Sequence, residues 1–285
     1  MRHVDTGAVR LAVESWPAGG ALDPARTVIG IHGLTANHTC WLAMAEALAP
    51  AWRVVGYDLR GRGDSDKPPT GYSLAEHGRD LLGLLDRLGI ERALLMGHSL
   101  GAHIAVRFAA HHPERVRRLV LLDGGLDVRA EVFDSLAPAV NRLGVEFPSL
   151  DAFLAMLQQL PMFAGRWSEY LTRYFTYDVE PGPCGGVRSK VARHAVEEEV
   201  ANLARTRLWV WHHRITAPTL LLRAPDGLLT ATDCLMTQEE AEAMADAIPD
   251  CRLVVVPGAN HYTILLGAPA LVRREVAAFL ERARA

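Results

Sequence analysis

Six short stretches of the chain are continuously apolar and run into glycine, aspartate or proline: TVIGIHG (27–33), WRVVGYD (52–58), RALLMGHS (92–99), VRRLVLLDGG (116–125), PTLLLRAPD (218–226) and CRLVVVPGANH (251–261). A strand with one wet face alternates apolar and polar residues, whereas a strand covered on both faces reads as an unbroken apolar run. Between the runs lie stripes of helical period. Ser73 and Glu76 open one that carries Leu81, Leu84, Leu85 and Leu88 and stops at Gly89. Thr237 and Glu240 open another, with Ala241, Met244, Ala245 and Ile248. Val272, Val276, Phe279, Leu280 and Ala283 mark the last. Capping signals ahead of apolar stripes predict helices. Strand and helix in alternation predict an α/β fold, a mostly parallel central sheet with helices on both faces. The more alternating VRLAVESW (9–16) reads as an exposed edge strand.

The alternation breaks once, over 126–214, where helix-like patches occur without strands of the same kind. Eleven of the 19 Phe, Trp and Tyr residues fall there, including Phe133, Phe153, Phe163, Tyr174, Trp209 and Trp211. An aromatic-rich segment between two strands predicts an inserted, mostly helical cap, with DVEPGPCGGVRSK (178–190) as a turn-rich loop. The expected division is 1–125 as the first part of the core, 126–214 as the cap and 215–285 as the second part of the core.

The 285 residues suffice for a large core, and a formal charge of −3 gives no electrostatic reason to expect nucleic acid or an anionic membrane. No stretch reaches the roughly 18 apolar residues of a membrane helix. Cys40, Cys184, Cys234 and Cys251 lack the close pairing of metal or redox motifs. These features predict a soluble, cytoplasmic protein without metal or cofactor, and they leave room for a homodimer.

Gly97-His98-Ser99-Leu100-Gly101 matches G-x-S-x-G, and it closes the strand ALLM and opens the helix LGAHIAVRFAAHHP. That setting is the one a nucleophile elbow needs, with Ser99 at a helix N-terminus where backbone N–H groups face a developing oxyanion. The competing reading is a serine that only caps the helix. A serine hydroxyl attacks only when a base takes its proton. Among twelve histidines, His261 follows the last predicted strand and falls on the rim where the carboxyl ends of parallel strands converge. His32, His98, Asp58, Arg60 and Asp64 are read as braces of the rim loops, and His103 and His194 as ordinary helix residues.

With these motifs the chain resembles the α/β-hydrolase superfamily nearly end to end. HGLTAN (32–37) is similar to that family's oxyanion loop, YDLRGRGDSDKP (57–68) to its D-x-R-G-x-G-x-S stretch, and PGANH (257–261) to the segment that carries its histidine. The resemblance implies catalytic Ser99 and His261, with Leu34 and Leu100 supplying oxyanion-hole N–H groups. The family's usual acid follows the strand PTLLLRAPD, which gives Asp226, although the interval from there to His261 is longer than usual. Asp233, in the extra residues, and Asp123, after the preceding strand, are its rivals.

A serine, a base, an acid and an oxyanion hole describe acyl transfer to water. The expected activity is a carboxylesterase or lactonase acting on a small-molecule apolar ester or lactone. Alternatives of the same fold are a thioesterase, a C–C bond hydrolase, a haloperoxidase-like enzyme and a hydrolase-derived ligand receptor.

Overall fold

The computed structural model describes residues 1–129, 132, 137–230 and 233–282, so the expectations at Phe133 and Ala283 lie outside the described residues. The strands are β1 (Arg2–Asp5), β2 (Arg10–Trp16), β3 (Thr27–Ile31), β4 (Arg53–Tyr57), β5 (Ala93–His98), β6 (Val116–Leu122), β7 (Glu146–Phe147), β8 (Val179–Pro181), β9 (Val187–Ser189), β10 (Thr219–Arg223) and β11 (Cys251–Val255). The helices are α1 (Leu42–Leu48), α2 (Leu74–Leu88), α3 (Leu100–His111), α4 (Ala137–Asn141), α5 (Leu150–Gln158), α6 (Glu169–Asp178), α7 (Arg193–Leu203), α8 (Trp209–His212), α9 (Gln238–Ala247), α10 (Thr263–Leu266) and α11 (Ala270–Glu281).

The continuous apolar runs pair into one eight-stranded sheet in the order β1-β2-β4-β3-β5-β6-β10-β11. From β4 to β11 all neighbours are parallel. Strands β3, β5 and β10 are buried along their whole length, as unbroken apolar runs require. The edge at the N-terminal side is β1, not the stretch 9–16. Strand β2 lies between β1 and β4, antiparallel to both, and the polar letters of RHVD hide the strand that covers it.

Two apolar layers sandwich the sheet. Leu81, Leu84 and Leu85 of α2, Phe108 of α3 and Met244 of α9 fill one face. Met44 of α1 and Val272, Val276 and Phe279 of α11 fill the other. Most of the predicted stripe residues are buried on these faces, with Leu88 and Ala245 only partly covered. Gly89 ends α2 in the left-handed region at φ 69°, and Thr237 with Glu240 forms a complete capping box on α9.

The order places the site. After β3 the chain runs to β4 on one side, and after β4 it crosses back to β5 on the other. The loops leaving β3 and β5 therefore diverge, and the crevice between them is where α/β sheets bind ligands. Between β6 and β10 the chain leaves the sheet and packs Phe153, Phe163, Leu171 and Phe175 into the second apolar layer. That segment is not purely helical. Strands β7-β9-β8 form a small antiparallel sheet, and the stretch 178–190 holds a hairpin rather than only turns. Strands of two or three residues are too short to leave a period in the sequence.

Candidate active site

Ser99 follows β5 at φ 55°, ψ −121°, a backbone conformation that non-glycine residues rarely hold. It occupies the N-cap position of α3, yet its side chain makes no capping hydrogen bond. The hydroxyl is thus not spent on the helix. The flanking glycines are sterically required: a Cβ on Gly97 would lie 2.4 Å from the Gly101 carbonyl oxygen, and one on Gly101 only 1.9 Å from that of Ile31.

His261 follows β11 and is 4 % exposed. Its Nδ1–H donates to Asp123 Oδ2 at 2.8 Å, and Asp123 is fully buried at the end of β6. The other oxygen, Oδ1, accepts the Ala224 N–H at 3.0 Å. The His261 carbonyl accepts Nε2–H of His98 at 2.7 Å, and the two rings stand 4.6 Å apart. Burial, with the neighbouring His261, holds His98 well below the usual histidine range, so it stays neutral. Asn260 pins the same loop: Oδ1 accepts the N–H groups of Tyr262 and Thr263, and Nδ2–H donates to the Met162 carbonyl at 2.8 Å. Sequence reasoning missed Asn260, although its place just before His261 in PGANH was the available signal.

The aspartate beside His261 is Asp123, and the expectation for Asp226 is corrected. Asp226 does stand on the rim, its backbone bridged to Asn260, but its carboxylate turns outward to Arg166 at 2.9 Å and is about one-third exposed. Two residues separate it from the end of β10, and its backbone N–H donates to the Ala259 carbonyl of the histidine loop at 3.0 Å while its side chain turns away. Asp233 caps its own loop through the N–H groups of Leu228, Leu229 and Thr230.

Ser99 and His261 line one cavity with Gly33, Leu34, Tyr174 and Tyr262. Measured to the centre of a water molecule it is about 40 Å³, and a smaller space beyond shares Thr35, Ala139, Tyr174 and Tyr262 in its wall. Gly33 stands close to the elbow, since a Cβ there would lie 3.1 Å from Ser99 Cβ. Leu34 follows it on the cavity wall, and Leu100 opens α3, where a first-turn N–H has no acceptor within its own helix. His32 fixes the loop: Nδ1–H donates to the Gly33 carbonyl at 2.8 Å, and Nε2 accepts the Leu59 N–H at 2.9 Å. Burial lowers its pKa to about 4 and keeps it neutral for both bonds.

The DLRGRGDS stretch is a brace. Asp58 accepts from the His38 N–H and Nδ1–H, the Asp64 N–H and the Tyr177 hydroxyl, joining the core to α6. Burial alone would lower His38, but bonds to Asp58 and Glu14 outweigh it and raise the pKa to about 9. Arg60 pairs with Asp80 through two hydrogen bonds of 2.6 Å. Among the described residues no group of three His, Cys, Asp or Glu side chains could hold a metal ion, and no helix is long and apolar enough to cross a membrane.

The sequence profile of the alpha/beta hydrolase fold family matches residues 26–268. The chain is 30% identical over 263 residues to the 2-(acetamidomethylene)succinate hydrolase of Mesorhizobium japonicum, covering 92% of this chain and 88% of that one. The crystal structure of an E-2-(acetamidomethylene)succinate hydrolase superposes with a TM-score of 0.83 at 28% identity, covering 98% of both chains. The enol-lactonase of Burkholderia xenovorans shares the fold at a TM-score of 0.75 and 21% identity, over 98% of this chain and 100% of that one.

Proposed function

The chain belongs to the α/β-hydrolase fold family and is a hydrolase, and from that premise we propose that it cleaves carboxylic esters or lactones of small to medium apolar substrates through an acyl-enzyme on Ser99. The observation that carries the reading is the buried Asp123–His261 pair on the same cavity as an uncommitted Ser99 hydroxyl. Asp123 holds the hydrogen of His261 on Nδ1, which leaves Nε2 as the base for Ser99. Ser99 Oγ attacks the carbonyl and gives its proton to Nε2. The oxyanion forms against the N–H groups of Leu34 and Leu100, and His261 then protonates the leaving alcohol. Water activated by the same Nε2 releases the acid and restores Ser99. The Asp123 carboxylate, bonded to Nδ1–H, stabilises the imidazolium formed in each half-reaction.

The cavity wall supports the substrate class, with Leu34, Val140, Leu265 and Leu266 around a narrow space that suits a short acyl group. A second reading comes from the relative named for a substituted succinate: the same nucleophile would act on an acetamido-bearing dicarboxylate. Turnover of a short-chain chromogenic ester and of 2-(acetamidomethylene)succinate, by wild type and Ser99→Ala, tests both. Ester turnover lost in Ser99→Ala supports the first reading, and turnover of the succinate alone supports the second. Full activity in Ser99→Ala refutes both.

A further inference from the structure

Arg62 is fully buried, and none of its five guanidinium N–H groups is free. Nε–H and one Nη2–H donate to the Leu34 carbonyl at 3.0 and 2.9 Å, and one Nη1–H donates to the Arg60 carbonyl at 2.9 Å. The remaining Nη1–H and Nη2–H go to the two carboxylate oxygens of Glu199 on α7. Glu199 is itself 1 % exposed and also takes Nε2 of His77 from α2. A buried guanidinium with a single bonded carboxylate is held in one orientation, because any other leaves a charge unpaired away from water.

The carbonyl at the other end of this relay belongs to the loop beside Ser99. Its neighbours are held too: the Gly33 carbonyl by His32, and the Thr35 carbonyl by Nη2–H of Arg142 at 3.1 Å. Arg142 lies next to α4 and is paired in turn with Asp178 of α6. In a planar trans peptide the N–H points opposite the C=O. Each tie therefore sets the direction of the N–H on the same peptide: that of Leu34 through the Gly33 carbonyl, of Thr35 through the Leu34 carbonyl and of Ala36 through the Thr35 carbonyl. Two of the three ties are completed by residues between β6 and β10.

We infer that Arg62, oriented by Glu199, is a positioning residue for the oxyanion loop, so that helix α7 takes part in setting catalytic geometry. This rests on the acyl-enzyme reading of Ser99. Arg62 touches no reacting group; it holds the Leu34–Thr35 peptide, which adjoins the Gly33–Leu34 peptide that carries the Leu34 N–H. Lysine at 62 cannot span the Leu34 carbonyl and Glu199 with a planar fork. Glutamine at 199 keeps the shape and removes the counter-charge.

Arg62→Lys and Glu199→Gln, compared with wild type, test the relay. Active sites are titrated with a serine-directed phosphonate, then kcat and KM are measured per labelled site on a short-chain ester. Affinity for a trifluoromethyl ketone, which forms a tetrahedral oxyanion, is measured alongside. The expected result is a fall in kcat of about tenfold or more, a KM within about threefold, and ketone affinity falling in step with kcat, since lost oxyanion contacts act on the transition state. A merely structural role lowers the fraction of labelled sites and leaves kcat per site unchanged. Values of kcat and ketone affinity within about twofold of wild type in both variants overturn the relay alone. A wild-type protein that neither labels nor turns over refutes the acyl-enzyme reading, and the relay with it.

Discussion

Replacing Asp123 by asparagine separates the two candidate acids, and the structure sets the size of the effect. Asp123 Oδ1 accepts the Ala224 N–H at 3.0 Å while Oδ2 accepts Nδ1–H of His261 at 2.8 Å. Asparagine at 123 keeps the first bond by placing its carbonyl oxygen toward Ala224, so the fold is retained. Its NH₂ then faces His261 and selects the tautomer with the hydrogen on Nε2, which has no lone pair for the Ser99 proton. Loss of the correct tautomer in such a triad costs about 10⁴ in kcat, or about 5.5 kcal/mol of transition-state stabilisation. Asp226→Asn removes only a pairing with Arg166, both groups more than a third exposed, which is worth about 0–1 kcal/mol of stability and nothing to the chemistry. The assay is kcat/KM on a short-chain chromogenic ester for wild type and both variants. Asp226→Asn within about threefold of wild type and Asp123→Asn down by about 10³ or more agree with the geometry. Collapse of Asp226→Asn with Asp123→Asn near wild type refutes it.

The His38 network predicts a pH-dependent stability. The folded pKa of about 9 lies above the unfolded value of 6.5, so protonated His38 favours the fold, fully below the unfolded value and progressively less as pH rises toward about 9. Between about pH 7 and pH 9 wild type should lose about 2 kcal/mol, read from urea midpoints, while His38→Gln stays flat; an equal loss in His38→Gln excludes His38 as the source. Gly101→Ala places a Cβ 1.9 Å from the Ile31 carbonyl oxygen and should cost more than about 3 kcal/mol in thermal unfolding. Gly78→Ala in α2 meets only the tip of Arg107, at 3.4 Å, and should gain up to about 1 kcal/mol. Comparable melting temperatures for these two variants would contradict the packing argument.

The sheet was legible in the sequence because a strand buried on both faces needs an unbroken apolar run, and β3, β5 and β10 have one. The elbow was legible because G-x-S-x-G stands between such a run and a helical stripe. The identity of the aspartate was not. Asp123 and Asp226 both follow apolar strands, and adjacent strands β6 and β10 bring both to one rim. What separates them is a direction: Asp123 leaves β6 at once, at φ 45°, and points at the histidine loop, while Asp226 comes three residues later and points away. No local pattern encodes that. The same holds for Arg62 and Glu199, which meet across 137 positions of sequence, and for Asn260, whose tie to Met162 crosses 98. Long-range polar contacts leave no period to read, because each depends on how separate elements pack.

The central claim is that Ser99 is the nucleophile. Intact-protein and peptide mass spectrometry after incubation with a serine-directed phosphonate tests it directly. The account predicts one adduct per chain, on the peptide that carries Ser99, forming in step with loss of esterase activity. An active protein that takes no adduct, or takes it on another residue, contradicts the account.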